Sequence, residues 1–187
     1  MLEFKLIGMV KSVFKILFCI FVTGCSCKPG VPPENSINGK NAGDMELGVN
    51  EERVIFVAAI NPWNWEVNNG TKGLILKKEF SYQFEVRNIE KWVDDEVTSD
   101  PETGWTTWMR YPGALVPWLR RCPDEAWYTL IGALYDESGN WHCFKIGNGI
   151  KKIRPEATGR IYVFANDMNG YYSNNFGSLK LSIRRLE

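Results

Sequence analysis

The sequence has few of the residues that most catalytic and transition-metal sites need. It contains one histidine, and none of its five cysteines are spaced as a CxxC pair. Structural zinc sites use four cysteine or histidine ligands, so a zinc site is not expected. No GxSxG nucleophile motif occurs, and the single histidine, His142, lies in a strand-like run. The composition therefore favours a binding or structural protein over an enzyme of these classes.

The sequence also lacks an excess of basic charge. Lysine and arginine together number 22, the same as aspartate and glutamate. Residues 1–24 hold three lysines and one glutamate, so the chain without them has a net charge of about −2. Nucleic-acid-binding domains need a clustered basic face. No nucleic-acid partner is therefore expected.

No apolar run reaches the roughly 20 residues of a transmembrane helix, but the N-terminus resembles an export signal. Lys11 and Lys15 precede a short apolar run at residues 16–22, and Gly24 precedes Cys25. A basic region, a short apolar core and a small residue before the cleavage point are typical of secreted proteins. The ending resembles a bacterial lipobox, in which the cysteine is lipidated. We expect residues 1–24 to be a signal peptide and Cys25 to anchor the chain to the cell envelope, at the outer membrane; the alternative is an uncleaved membrane anchor.

The rest of the chain divides into a tether and one domain. Residues 25–45 are rich in proline, glycine, asparagine and serine, which is typical of a flexible linker. Residues 46–187 are long enough for a single domain with its own core. In an oxidising compartment Cys122 and Cys143 are the first candidates for a disulfide. A hairpin turn at residues 136–140 would, however, place Cys143 opposite Leu134.

Alternating apolar residues and frequent turn signals predict an all-β fold, since no segment shows a sustained helical period. We expect a pair of half-buried strands in residues 73–86 and further strands at residues 126–135, 141–146, 150–153, 160–165 and 178–184. Residues 53–60 form a continuous apolar run, which fits a strand buried on both faces or a helix fragment, and their β-branched content favours a strand. Residues 89–110 are acidic and contain tryptophan, and we expect a long loop there. About eight to ten short strands predict an all-β sandwich.

Residues 161–183 hold the strongest candidate site, a loop flanked by two apolar strands. Calcium takes about six to eight oxygen ligands from carboxylates, amides and backbone carbonyls. The loop is not an EF-hand, since Tyr172 and Ser178 occupy the positions of the required glycine and glutamate. A plain hairpin turn, in which Asx side chains cap their own backbone, fits the loop equally well. Its oxygen-bearing residues are Asn166, Asp167, Asn169, Asn174 and Asn175.

The same stretch resembles the calcium-dependent galactophilic bacterial lectins of the LecA type. Residues 157–183, ATGRIYVFANDMNGYYSNNFGSLKLSI, match that family's C-terminal pattern of a strand, an Asn-Asp pair, a loop, an Asn-Asn pair and a final strand. LIGALY and FKIGNG, farther upstream, are similar to its mid-domain strands. The resemblance covers residues 53–183 and is tighter after Ala126. It implies a jelly-roll-like β-sandwich.

The resemblance also implies a ligand set. Calcium would be bound by the side chains of Asp167, Asn174 and Asn175, by the backbone carbonyl of Tyr171, and by another carbonyl from residues 92–96. In that family two sugar hydroxyls complete the calcium shell. The family's sugar-contacting histidine and glutamine fall on Leu115 and Trp118, which cannot make the same hydrogen bonds, so galactose itself is not implied. The residues expected to contact a bound sugar are Asp167, Met168, Tyr171, Asn174 and Trp118.

Tryptophan is abundant and offers further candidates for stacking on a sugar ring. We expect Trp127 and Trp141 to be core residues on opposite strands of one hairpin. The candidates in loop-like sequence are Trp63, Trp65, Trp105, Trp108 and Trp118.

The sequence thus predicts an exported lipoprotein whose β-sandwich binds calcium and, through it, carbohydrate. One alternative is an envelope structural or protein-interaction module in which calcium only stiffens the loop. Another is an enzyme that uses the acidic residues 94–96.

Overall fold

The computed structural model describes residues 44–68, 72–105 and 117–187. The signal sequence, Cys25, Trp108, Leu115 and nearly all of the tether lie outside these ranges. Within them, ten β-strands form two five-stranded sheets, and no α-helix occurs. No helix in these ranges is both long and apolar enough to cross a membrane.

The first sheet contains the most deeply buried strand of the fold. Its members are β1 (Met45–Glu46), β3 (Leu74–Leu76), β6 (Leu130–Asp136), β7 (Trp141–Lys145) and β9 (Gly159–Ala165), in the spatial order β1-β3-β9-β6-β7. Every residue of β9 is buried, and β6 pairs with it antiparallel along its whole length. The residues that follow β9 therefore start from a rigid, central position.

The second sheet brings the chain back to the end of β9. Its members are β2 (Glu52–Ala58), β4 (Tyr82–Asp94), β5 (Val97–Thr98), β8 (Ile150–Ile153) and β10 (Asn175–Arg185). The order is β2-β10-β4-β5, and β8 also pairs with β4. The register places Asn175 opposite Asp94 and Gly177 opposite Trp92. Gly177 has a φ of 108°, and a Cβ there would collide with the backbone of Lys91, so this position requires glycine.

The two sheets confirm the predicted all-β sandwich, with differences at individual strands. Residues 53–58 of the strand predicted at 53–60 do lie in β2, but burial on both faces is wrong: Ile55 and Val57 point inward while Phe56 remains 46% exposed. The predicted loop at residues 89–110 is wrong for its first part, because β4 continues to Asp94. The predicted strand at residues 126–135 begins later, at Leu130.

The disulfide joins a loop to an edge strand. Cys122 and Cys143 are bonded, with their Cα atoms 6.2 Å apart. Cys143 lies opposite Ala133 in the β6–β7 ladder, whereas Cys122 lies in the loop after a 3-10 turn at Pro117–Leu119. Cys122 reaches Cys143 from a loop outside the β6–β7 ladder. The pairing of Cys143 with Ala133 therefore does not prevent the disulfide.

The first residues that the structure describes are already joined to the first sheet. Asp44 forms a largely buried ion pair with Arg160, and Met45 pairs with Leu74 in parallel orientation. Met45, which the sequence assigned to the tether, is therefore part of the sheet.

Candidate metal centre

The candidate site lies where three strands meet. β9 ends just before Asn166 and Asp167, β10 begins at Asn175, and β4 ends at Asp94, directly opposite Asn175. The connecting loop closes through a 3-10 turn at Tyr172–Asn174. The topology thus brings acidic and amide side chains from both sheets to one end of the sandwich.

Asp167 and Asn175 form the buried half of the site, at 5% and 3% exposure. Nδ2 of Asn175 donates to Oδ2 of Asp167 at 3.1 Å, and the backbone N–H of Met168 donates to Oδ1 at 2.7 Å. Within the described ranges, Oδ1 of Asn175 is buried and has no hydrogen-bond partner. Leaving such an acceptor unsatisfied costs about 1–3 kcal/mol. The arrangement therefore suits a cation that accepts oxygen ligands.

Asp94 is a second buried carboxylate, also 5% exposed. Nδ2 of Asn174 donates to its Oδ1 at 2.9 Å. The sequence implied only a backbone carbonyl from residues 92–96 at the metal and did not place this side chain there. The available signal was the period-two alternation from the buried Trp92, which turns Asp94 to the same side of the strand.

Both carboxyl groups have raised pKa values. Burial is the largest cause at Asp94, followed by the negative charges of Asp167 and Asp95, and together they raise its pKa to about 7. Burial also raises the pKa of Asp167 to about 6, against the lowering effect of the hydrogen bonds from Met168 and Asn175. A raised carboxyl pKa means that the protein compensates the negative charge poorly. A bound cation would provide the missing compensation.

A buried arginine lies behind Asp167. The guanidinium of Arg121 lies 4.0 Å from the ring centroid of Trp63 and 3.6 Å from that of Phe164. Its Nη1 donates to the hydroxyl of Tyr172 at 2.9 Å. Its charge lowers the pKa of Asp167, although burial outweighs it. Arg121 therefore only partly compensates the Asp167 charge.

Asn166 has a structural task beside the site. Its Oδ1 accepts from the backbone N–H of Cys122 at 3.0 Å, and its Nδ2 donates to the carbonyls of Cys122, Glu125 and Ala126 at 2.9, 3.1 and 3.0 Å. These bonds fasten the disulfide-bearing loop to the end of β9. The side-chain amide of Asn166 is thus occupied by hydrogen bonds that stabilise the fold.

Trp118 lies beside the candidate loop and faces solvent. It is 51% exposed, and Arg120, two residues later, pairs with Met168 through an isolated bridge. The Met168 side chain turns away from solvent and packs with Leu119 and Trp127, while Tyr171 packs against the same cluster. The loop therefore has an apolar support on the side where Trp118 lies.

The other described tryptophans from loop-like sequence pack against neighbouring side chains. Trp63 stacks on Trp141 with ring centroids 5.5 Å apart, and Trp105 stacks on Trp127 at 5.5 Å. Arg160 covers the ring of Trp65. Trp127 is buried as predicted, but its expected place on a hairpin strand opposite Trp141 is wrong, because it precedes β6 in a turn.

The donor set is rich in amides. Among the described residues, no three histidine, cysteine, aspartate or glutamate side chains converge on one point. A cation here would depend on amide and carbonyl oxygens in addition to carboxylates, as calcium commonly does. The residues present therefore fit calcium and do not fit zinc. No protein-family model matches the chain, and a search of curated proteins found no match.

Proposed function

We propose that the domain binds calcium through the loop between β9 and β10, and a carbohydrate through that ion. The calcium ligands are the side chains of Asp167, Asn174 and Asn175 and the backbone carbonyl of Tyr171. The proposal is supported above all by the unpartnered Oδ1 of Asn175 beside the buried carboxylate of Asp167. Both groups are stabilised by a hard cation, whereas leaving them uncompensated in the interior costs free energy.

Calcium would supply positive charge and coordination positions for hydroxyl groups. This ligand set is smaller than the roughly six to eight oxygens that calcium takes, which leaves room for a vicinal diol. Asn174 is exposed, so the site opens towards solvent. Trp118 offers an apolar face against which a sugar ring can stack. These features favour a recognition site, held at the cell envelope by a lipid on Cys25.

A structural calcium site is the second candidate function. Asp167 follows a strand of the first sheet, whereas Asn175 begins a strand of the second, and the two side chains are already hydrogen-bonded. A cation between them would tie the sheets together without any sugar. In this case the domain would serve as an envelope structural or protein-interaction module.

Calcium is expected to raise the melting temperature of the protein substantially. A ligand present at a thousand times its Kd stabilises a fold by about 4 kcal/mol, which corresponds to a shift on the order of 10 °C for a domain of this size. Asp167→Ala should lose the shift in thermal melts with and without chelator. Asp95→Asn, at an exposed neighbouring carboxylate, is the control and should keep it. A wild-type Tm that is the same in calcium and in chelator contradicts the proposal.

Carbohydrate binding is expected to require the metal. On a glycan array, wild-type protein should bind glycans with an accessible vicinal diol in calcium and lose them in chelator. Trp118→Ala should weaken this binding about tenfold, the loss of roughly 1.4 kcal/mol of ring stacking. Its calcium-dependent Tm shift should be unchanged, because Trp118 is not among the proposed calcium ligands. A domain that calcium stabilises but that binds no glycan, or binds glycans equally in chelator, supports the structural alternative instead.

A further inference from the structure

We propose that Asp94 is an additional direct calcium ligand, so that each sheet contributes one carboxylate to the ion. This inference rests on the proposed calcium function and assigns it a residue from outside the β9–β10 loop. The predicted contribution of residues 92–96 was a backbone carbonyl. A carboxylate in that place changes the charge of the site.

The two buried carboxylates contact adjacent residues of one dipeptide. Asp94 is the last residue of β4 and lies opposite Asn175 in the β4–β10 ladder. Asn174 donates its side-chain amide to Asp94 at 2.9 Å, and Asn175 donates its own to Asp167 at 3.1 Å. Two consecutive amides thus each bridge to a different buried carboxylate. A cation bound by both carboxylates would therefore also lie next to the side chains of Asn174 and Asn175.

A second, independent observation points to a ligand at this position. Oδ1 of Asn175 is buried, has no partner among the described residues, and belongs to the amide that contacts Asp167. Two carboxylates alone could be held by a shared proton. The carbonyl oxygen of Asn175 lacks a donor among the described residues, and a metal ion held by the carboxylates would satisfy it.

The charges around Asp94 favour the same assignment. The charged neighbours that act on Asp94 are Asp167 and Asp95, both acidic, whereas Arg121 acts on Asp167. Buried charges are normally paired or coordinate metals, because an isolated one is costly. A divalent cation would balance Asp94 and Asp167 together. Calcium affinity increases with the number of charged ligands, so Asp94 should make the site markedly tighter than one with Asp167 alone.

The rival explanation is that Asp94 only orients Asn174. Asp94→Asn separates the two roles: it keeps the shape of the side chain and an oxygen that accepts the Asn174 hydrogen bond, but removes the charge. An orienting residue should tolerate this substitution, whereas a charged ligand should not. Asp95→Asn removes a charge from the adjacent, exposed position and is the matched control.

The test is a calcium titration of the purified full chain by isothermal titration calorimetry, with thermal melts in calcium and in chelator. Asp94→Asn should weaken calcium binding on the order of 100-fold, and Asp95→Asn less than about threefold, in keeping with the dependence of calcium affinity on ligand charge. In chelator, Asp94→Asn should melt at or above the wild-type temperature, because it removes a buried charge near Asp167; this also shows that the variant folds.

The outcomes distinguish the two proposals. Calcium affinity of Asp94→Asn within about threefold of wild type, in a protein that binds calcium and loses it on Asp167→Ala, overturns the role of Asp94 alone. A wild-type protein that binds no calcium overturns the calcium function and the Asp94 role together.

Discussion

Asn166→Asp is expected to lower the free energy of unfolding by about 4 kcal/mol or more, since several buried hydrogen bonds are lost at once and each unmade one costs about 1–3 kcal/mol. In the native protein Nδ2 of Asn166 donates to the carbonyls of Cys122, Glu125 and Ala126. Aspartate has no donor there and would place a negatively charged oxygen against three carbonyl oxygens. The residue is fully buried, so water cannot restore the bonds.

Denaturant unfolding with two companion variants tests this expectation. Asn166→Ala removes the donor without adding a charge, so it should be destabilising but less so than Asn166→Asp. Asn169→Asp changes an exposed asparagine of the same loop and should stay within about 0.5 kcal/mol of wild type, as most surface substitutions do. If Asn166→Asp unfolded at the wild-type denaturant concentration, the clamp between β9 and the disulfide loop would not contribute to stability.

The strands that the sequence predicted well end at clear turn residues. β10 alternates apolar and polar residues from Leu179 to Ile183, whereas β9 is a continuous run of mostly β-branched and aromatic residues that is buried along its whole length. The sequence did not predict the second half of β4, because the alternation of apolar and polar residues is lost there. Asn88 and Lys91 have positive φ angles, and the β4–β10 register shifts nearby. Such bulges turn consecutive side chains to one side, so residues 87–91 are all exposed and resemble a loop in the sequence.

The candidate site was predictable only where its residues are close in the chain. Asp167, Asn174 and Asn175 belong to one loop, and their spacing alone suggested an oxygen-rich cluster. Asp94 precedes Asn174 by 80 residues, and its approach depends on the register between β4 and β10, which alternation does not determine. The packing of Trp63 could not be predicted either, because it also depends on a contact with a distant part of the chain. The proline- and asparagine-rich sequence around Trp63 predicts an exposed loop, whereas its ring stacks against Trp141 of β7.

The stabilisation by calcium is expected to change strongly with pH, from a Tm shift on the order of 10 °C at pH 8 to almost none at pH 5. Calcium binds deprotonated carboxylates. Burial raises the pKa of Asp94 to about 7 and that of Asp167 to about 6. Protons therefore compete with calcium as the pH falls through this range. Well above pH 7 both groups are ionised, and the full shift should be present.

The protein without calcium should show the opposite trend. A carboxyl group whose pKa is higher in the folded than in the unfolded state binds its proton more tightly when folded. Its contribution to stability is therefore greatest below the unfolded value near 4, falls as the pH rises towards the folded value, and is constant above it. In chelator the Tm should thus decrease between pH 5 and pH 8, while in excess calcium this loss is offset by metal binding.

Glu52 supplies the control, because its pKa shift has the other sign. Hydrogen bonds from Arg184 and Ser182 lower its pKa to about 2, so Glu52 is ionised in both the folded and unfolded states across pH 5–8. Its stabilising contribution is lost only as the pH falls from the unfolded value near 4 towards 2. Glu52→Gln should therefore lower the Tm by the same amount at pH 5 and pH 8 and leave the pH dependence of the calcium shift intact. A calcium shift that is equal at both pH values would place the bound ion away from Asp94 and Asp167.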